Sequence, residues 1–381
     1  MARRATLKDV AELAGVSTAT VARVLHGNRY VADETRRLVE AAVAETGYQI
    51  NAVAQGLRRQ RTATIGHLLH GVIPNPFFAG VALGAEQEAL RHGYGVLMVN
   101  THEDAGRERL GVETLIRRRV DGILFTTPTH EDNVRLALGA GIPVVQVERM
   151  TGADTPAVTV DNLVGARAAV EHLISLGHRR IAYMGADPCR MRERPGAARW
   201  PDVEQERLSG YRDVLRDHDL PVDETLIGLG RYYAREARER PNDGYVWMRR
   251  FLQREDPPGA VFATSDLLAA GALQAIYERS LRVPDDVSVV GFDDTYAPYF
   301  APPMTTVAQP MVEIGEAAAR LVFRGLSGPD GPAGERVVRL PTRLIVRAST
   351  GPAPVRADAE AHGRPRTRSS GPVIDDNLVR R

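Results

Sequence analysis

The sequence predicts an α/β protein: a three-helix, helix-turn-helix domain at the N-terminus, followed by a larger body of parallel, doubly wound sheets. Three observations carry this expectation. Two short amphipathic helical patterns joined by a glycine lie between Thr6 and Leu25. From residue 62 to about 350, short apolar runs alternate with helical stretches. That alternation is the pattern of parallel strands covered by helices on both faces, and its length exceeds what one sheet usually holds, so two similar subdomains are expected. Positive charge is concentrated at the front: residues 1–61 carry ten Lys/Arg against six Asp/Glu, residues 62–381 carry 39 against 42. Such a distribution suits phosphate neutralisation by the N-terminal module.

In the first helical pattern Thr6 is placed to cap, with Asp9 completing a capping box. Leu7, Val10, Ala11 and Ala14 make one apolar face. Gly15 permits a tight turn, and Ser17 caps the second helix. There Val21, Val24 and Leu25 point inward, while Thr18, Ala19, Ala22 and Arg23 share the outer face. Hydroxyl, methyl and guanidinium groups on a second helix suit the reading of base edges in the DNA major groove, although an ordinary helical hairpin has the same periodicity. A third helix fits 33–46, with Thr35, Leu38, Val39 and Ala42 inward and Gly47 as its stop. The basic segment 51–62 is weakly helical and carries one large apolar residue, Leu57, beside Arg58, Arg59 and Arg61. Leu57 is either a packing contact or a wedge for the minor groove.

In the body, strands are expected at 64–69, 95–100, 122–126, 143–147, 181–184, 261–264 and 287–291. Helices are expected at 77–92, 107–118, 162–176 and 267–278. The last stretch, 351–381, is rich in Pro, Gly, Arg and Ser without periodicity and reads as a disordered tail.

Taken in order, TLKDVAELAGVS, TVARVL, TRRLVEAAVAETGY, NAVAQGL, NPFF, VDGIL, LGHRRIAYMG, RLSGY, TSD, VVGFDD and TTVAQP make the chain resemble the lactose/galactose repressor family of bacterial transcription regulators. The resemblance covers about residues 5–350. It implies a helix-turn-helix domain over 1–50, a hinge helix over 51–61, and a two-lobed, periplasmic-binding-protein-like core over 62–350. Lobe 1 would comprise about 62–160 and 309–335, lobe 2 about 161–308 and 336–350. It also implies a homodimer on near-palindromic double-stranded operator DNA, with a small-molecule effector between the lobes and Leu57 prising a base step. The implied DNA contacts are Thr6, Ser17, Thr18, Ala19, Thr20, Arg23, Asn28, Tyr48, Asn51, Ala54, Gln55, Leu57 and Arg58. Gln55 and Gly56 depart from the family, which often has Arg at the first, and Gly weakens a short helix. Some members end in a leucine-heptad tetramerisation helix; the tail shows none, which favours a dimer.

In open α/β sheets ligands collect beyond the carboxyl ends of the strands. Asn75, Phe77 and Phe78 follow the first strand, Glu148 and Arg149 follow Val147, Ser265 and Asp266 follow Thr264, and Asp293 and Asp294 follow Phe292. Arg207 opens the RLSGY helix. Bland alternatives exist: Asp266 as a helix cap, Phe77 as core, Asp294 as solvated. The resemblance implies that Asn75, Phe77, Phe78, Glu148, Arg207, Ser265, Asp293 and Gln309 meet the effector, with Gln309 near a strand that crosses back. Carboxylates and an arginine around an aromatic wall suit a polyhydroxylated ligand, so a sugar or sugar derivative leads, with a purine or other metabolite open. The insert 186–206 brings Arg190, Arg192, Arg194 and Trp200 near the cleft, and 232–243 is extended and charged. These are decorated surface loops, or an arginine cluster that favours an anionic ligand.

Other classes fit less well. No apolar run approaches a membrane span. Lys8, Asp9 and Glu12 interrupt any signal-peptide h-region, which argues for the cytoplasm and against a secreted solute-binding protein. A single cysteine excludes an intramolecular disulfide. No phosphate loop, dinucleotide fingerprint or nucleophile elbow appears, Cys189 has no obvious partner, and His67 and His70 lie on a strand rather than a helix, so neither an enzyme, a metal site nor a cofactor is expected. An inducer-released repressor is expected, although a corepressor would use the same parts.

Overall fold

A computed structural model of the protein describes residues 5–25, 31–48, 61–71, 75–187, 203–230, 242–327 and 335–354. The sequence candidates Asn28, Asn51, Ala54, Gln55, Leu57 and Arg58 lie outside these residues, as do Cys189 and most of the two charged inserts.

The N-terminal module contains α1 (Leu7–Leu13), α2 (Thr18–Leu25) and α3 (Asp33–Thr46). The capping box is reciprocal: Thr6 N–H donates to Asp9 Oδ2 at 2.7 Å, and Asp9 N–H donates to Thr6 Oγ1 at 3.4 Å. Val10, Ala11, Ala14, Val21, Val24, Val39 and Ala42 form the buried core. Gly47 ends α3 in the left-handed conformation at φ 61°. One expectation is corrected here: Leu38 is 51% exposed. The inner face of α3 runs through Val39, Ala42 and Val43, which places Leu38 about 100° round the helix from Val39.

Among the described residues, the body is two six-stranded sheets. Lobe 1 carries β1 (Thr64–Leu69), β2 (Gly95–Asn100), β3 (Gly122–Thr126), β4 (Val144–Val147), β5 (Ala157–Val160) and β11 (Val337–Leu340), in the spatial order β2-β1-β3-β4-β5-β11. Lobe 2 carries β6 (Ile181–Ala186), β7 (Ile227–Gly230), β8 (Ala260–Ala263), β9 (Ser288–Asp293), β10 (Thr305–Ala308) and β12 (Arg343–Ile345), in the order β7-β6-β8-β9-β10-β12. Every neighbouring pair is parallel except β10 and β12. Around the first sheet lie α4 (Pro76–Arg91), α5 (Ala105–Arg117), α6 (Glu131–Gly139) and α11 (Met311–Leu326). Around the second lie α7 (Asn162–Ser175), α8 (Val203–Asp217), α9 (Asp243–Leu252) and α10 (Asp266–Tyr277). The seven expected strands and four expected helices of the body all form, with ends shifted by no more than two residues.

Two boundaries differ from expectation. The segment 336–350 does not belong wholly to lobe 2, because β11 pairs in parallel with β5, Val337 opposite Ala157. The chain crosses to lobe 2 only after Leu340, where Arg343 pairs with Ala308. The tail does not begin at 351 either. Ala353 N–H donates to the Leu176 carbonyl at 2.8 Å, and His178 Nε2 lies 3.1 Å from the Gly351 carbonyl, so residues 351–354 pack on lobe 2.

Helix pairs approach closely through glycine. A Cβ at Gly84 of α4 would fall on the Val312 carbonyl of α11, and one at Gly315 would fall on the Val81 carbonyl. Lobe 2 repeats the device: a Cβ at Gly244 of α9 would meet the Leu268 carbonyl of α10. No described helix is long and apolar enough to cross a membrane.

Candidate functional site

The carboxyl ends of both sheets face a single cavity with about 430 Å³ of space not filled by atoms, part of it open to solvent. All eight residues expected at the effector site line it. Lobe 1 supplies Asn75, Phe77, Phe78 and Glu148, lobe 2 supplies Arg207, Ser265 and Asp293, and Gln309 follows β10 on the crossing segment.

Local structure explains their aim. Asn75 caps α4, its Oδ1 accepting from Phe77 N–H at 2.9 Å, so Phe77 and Phe78 fall on the first turn. The two rings meet edge to face with centroids 5.4 Å apart. Ser265 caps α10 in the same way, accepting from Leu268 N–H at 3.2 Å. Glu148 and Asp293 stand just past β4 and at the end of β9 with φ of 69° and 106°, backbone states that cost side-chain-bearing residues energy and cluster at binding sites.

Arg207 is the centre of the polar network. Its side chain is 3% exposed. Nε donates to Asn162 Oδ1 at 2.9 Å and Nη1 to the Thr264 carbonyl at 2.9 Å, while the guanidinium lies 3.8 Å over the Phe292 ring. Nη2 stands 3.7 Å from Glu148 Oε1, an ion pair from lobe to lobe. Gln309 Nε2 donates to Asp293 Oδ1 at 2.7 Å, and Gln309 Oε1 is buried without a hydrogen-bond partner among the described residues. Burial pushes the Glu148 carboxyl above its usual range against the pull of Arg207 and Arg149, and pushes Asp293 well above it against Arg207. Both are therefore poised to gain from hydrogen-bond donors or positive charge that arrive with a ligand.

Several alternatives resolve. Phe77 is buried, yet it also lines the cavity. Asp266 is structural rather than the helix cap: it is fully buried and accepts from the backbone N–H of Thr295, Tyr296 and Ala297 at 2.6, 3.0 and 3.1 Å, and from the Thr306 hydroxyl at 2.9 Å. Asp294 pairs with Arg347 at 2.7 Å. His67 is buried against the Thr126 hydroxyl at 2.8 Å, away from the cavity. No group of residues able to hold a metal occurs among the described residues.

The sequence assigns no ligand role to His70, Glu103, Thr127, Val203, Glu204 or Arg149; all six line the cavity, and His70 stands just past the end of β1 rather than on the strand. His70 stacks on Phe78 at 5.3 Å and pairs with Glu103 at 3.3 Å. The signal for Arg149 is present in the sequence, since it shares the post-strand position with Glu148; its partner Glu204 sits at the edge of an insert whose path the sequence does not reveal.

On the N-terminal module, Thr18, Ala19 and Arg23 are exposed on one face of α2. Thr20 N–H donates to Ser17 Oγ at 3.1 Å, and the two hydroxyls lie 2.9 Å apart. Thr6 holds the start of α1 through its capping box, and Tyr48 packs partly buried against the module's core.

Residues 6–51 match the model of the bacterial regulatory proteins of the lacI family, and residues 170–350 match a periplasmic binding protein-like domain. The chain is 33% identical to the HTH-type transcriptional repressor PurR of Mannheimia succiniciproducens over 91% of its own length and 98% of that protein. It is 34% identical to the ribose operon repressor of Haemophilus influenzae over 86% and 93%. Among solved structures, a lac repressor dimer bound to operator and the anti-inducer ONPF superposes with a TM-score of 0.75 at 28% identity, covering 92% of this chain and 100% of that one. A complex of the transcriptional regulator CelR with cellobiose superposes at 0.64 with 33% identity, over 91% and 100%.

Proposed function

The chain belongs to the lacI family of bacterial regulatory proteins and is a DNA-binding transcriptional repressor, not an enzyme; on that premise we propose that a sugar or sugar derivative, bound between the lobes, releases it as a homodimer from a near-palindromic operator. The observation that carries the effector reading is the convergence of both lobes on one cavity whose walls combine Phe77 and Phe78 with Glu148, Arg207 and Asp293. Carboxylates and a guanidinium make charge-assisted hydrogen bonds to hydroxyls, and an aromatic face covers the apolar side of a pyranose or furanose ring. The CelR structure holds cellobiose, which fits the same class. A purine is the second reading, favoured by the stacked His70–Phe78 pair, which offers a flat ring a flat partner.

Thr18, Ala19 and Arg23 are the base-reading residues in this account: Arg23 pairs with a guanine, and Ala19 and the Thr18 methyl touch thymine methyls. A ligand shifts operator affinity only through its differential affinity for two lobe arrangements. Lobe 1 is where the DNA module's chain enters the body. Arg61 Nη2 donates to the Leu326 carbonyl at the end of α11 at 2.7 Å, and Thr62 N–H donates to Asp121 Oδ1 at 3.0 Å. Rotation of lobe 1 thus carries the entry point with it and changes the separation of the two modules in the dimer. A thermal-shift screen of pentoses, hexoses, disaccharides and purines, followed by titration of promoter DNA from the gene's own locus with each hit, tests the reading. A sugar that stabilises the protein and weakens the complex is expected. A purine as the sole hit would replace the sugar, and DNA binding strengthened by the hit would make it a corepressor.

A further inference from the structure

Two ion pairs cross the cleft side by side, with their charges reversed. The neighbours Glu148 and Arg149 of lobe 1 face Arg207 and Glu204, which stand three residues apart on the first turns of α8 in lobe 2. Glu148 meets Arg207, and Arg149 Nη2 donates to Glu204 Oε1 in a tight contact. The Glu204 side chain is 0% exposed and that of Arg149 is 17% exposed, and both line the cavity. A guanidinium in a cavity wall is ordinarily the group that captures a carboxylate or phosphate, because its fork matches two oxygens of the anion. Here a buried carboxylate already holds it, at the start of a helix whose dipole favours negative charge.

We propose that Glu204 is a specificity-determining residue: by holding Arg149, as Glu148 holds Arg207, it denies that cation to anionic ligands and restricts the cavity to uncharged or positively charged ones. An entering phosphate or sugar acid would have to displace a carboxylate that cannot swing into water, or lie beside it with repulsion in a poorly screened site. The arginine-rich insert at 186–206 suggests an anionic effector from sequence; the paired charges of the wall argue against it. The inference rests on reading the cavity as the effector site.

The test uses the charge asymmetry in both directions. Glu204→Gln keeps the shape and a hydrogen-bond acceptor but removes the negative charge that faces Arg149. Inorganic phosphate and D-glucuronate, titrated calorimetrically against the full chain, should bind this variant on the order of tenfold or more tighter than wild type, the scale of one charge-assisted hydrogen bond. Arg149→Gln does the reverse and should favour D-glucosamine over D-glucose by a similar factor. In the double variant Arg149→Gln/Glu204→Gln both effects should vanish, which places them at this pair. Circular dichroism and thermal melting establish that each variant is folded, and either single variant suffices if the other is not. Wild type that binds phosphate as tightly as Glu204→Gln, or a tightening that survives in the double variant, would overturn the proposal. A failure of the effector reading is seen separately: phosphate binding would follow the pair as described while no sugar or purine bound wild type.

Discussion

Strand for strand, lobe 1 runs β2-β1-β3-β4-β5-β11 and lobe 2 runs β7-β6-β8-β9-β10-β12, so each places its successive strands in the same spatial order. Each crosses two helices through glycine, Gly84 with Gly315 in one and Gly244 with Gly271 in the other. Each also presents a capped helix start to the cavity, though at different places in the order: Asn75 on α4 after the first strand of lobe 1, Ser265 on α10 after the third of lobe 2. The lobes part in what they present and in what they are tied to. Lobe 1 offers an aromatic wall and Glu148, and it anchors Arg61 and Thr62. Lobe 2 offers Arg207 and Asp293, set in a denser polar network. One scaffold, used twice, thus brings both sheets' carboxyl ends to one cavity, while the side chains at the strand ends give its two walls different chemistry. Among the described residues, the chain arriving from the DNA module is held by lobe 1.

If the glycine crossings are equivalent, Gly84→Val and Gly244→Val should each remove on the order of 3 kcal/mol or prevent folding, since a β-branched side chain meets backbone that cannot retreat. Urea unfolding of the two variants compares the lobes directly; a loss confined to one would break the equivalence.

Acid should act next, through buried groups of both lobes. Burial holds His67 in lobe 1 neutral, with its pKa down to about 4 from 6.5. The unfolded chain takes up a proton as pH falls through 6.5 and the folded chain only near 4, so stability drops across that window by about 3 kcal/mol. His172 and His178 of lobe 2 are shifted the same way, while the carboxyls that burial raises, Glu148 in lobe 1 and Asp266 and Asp293 in lobe 2, gain stability as pH falls. His67→Gln, which can still bond Thr126, should flatten the pH dependence of the urea midpoint between pH 6.5 and 4. An unchanged slope would remove His67 from the account.

The DNA module carries smaller effects. Arg23→Ala should cost about 1–3 kcal/mol of discrimination at one base pair per half-site. Selection on randomised operators that returns identical preferences for wild type and variant would reassign the contact. Thr6→Ala should cost about 1 kcal/mol by opening the capping box, read as faster amide exchange in α1 with lobe stability unchanged.

Much of this is legible in the sequence, for physical reasons that also mark where legibility stops. The strands around Leu68 and Phe125 are near-continuous apolar runs, as buried parallel strands must be, and they stand out. The strands Ala157–Val160, Ile227–Gly230, Thr305–Ala308, Val337–Leu340 and Arg343–Ile345 have four residues or fewer, a length at which periodicity alone does not separate strand from loop, although Val144–Val147 and Ala260–Ala263, no longer, are legible. A strand as short as β11 therefore escapes the sequence, and its place in lobe 1 escapes with it. Leu38 reads as inward because a helix turn of 3.6 residues leaves neighbouring apolar positions hard to rank. At the site, residues just after strands or at helix starts are readable because topology puts those positions at the cleft. Glu204 and Glu103 are not, since their place depends on how a helix entry or a short turn is packed.

The central claim is that Asp293 belongs to the ligand's grip and not to DNA binding. The most direct measurement is operator affinity by fluorescence anisotropy, with and without a confirmed ligand, for wild type and Asp293→Asn. For wild type, the ligand should weaken operator binding by roughly 5–150-fold, the usual range of such coupling. Asp293→Asn should bind the operator as wild type does and show no response. A variant that still released the operator at the wild-type ligand concentration would contradict the account.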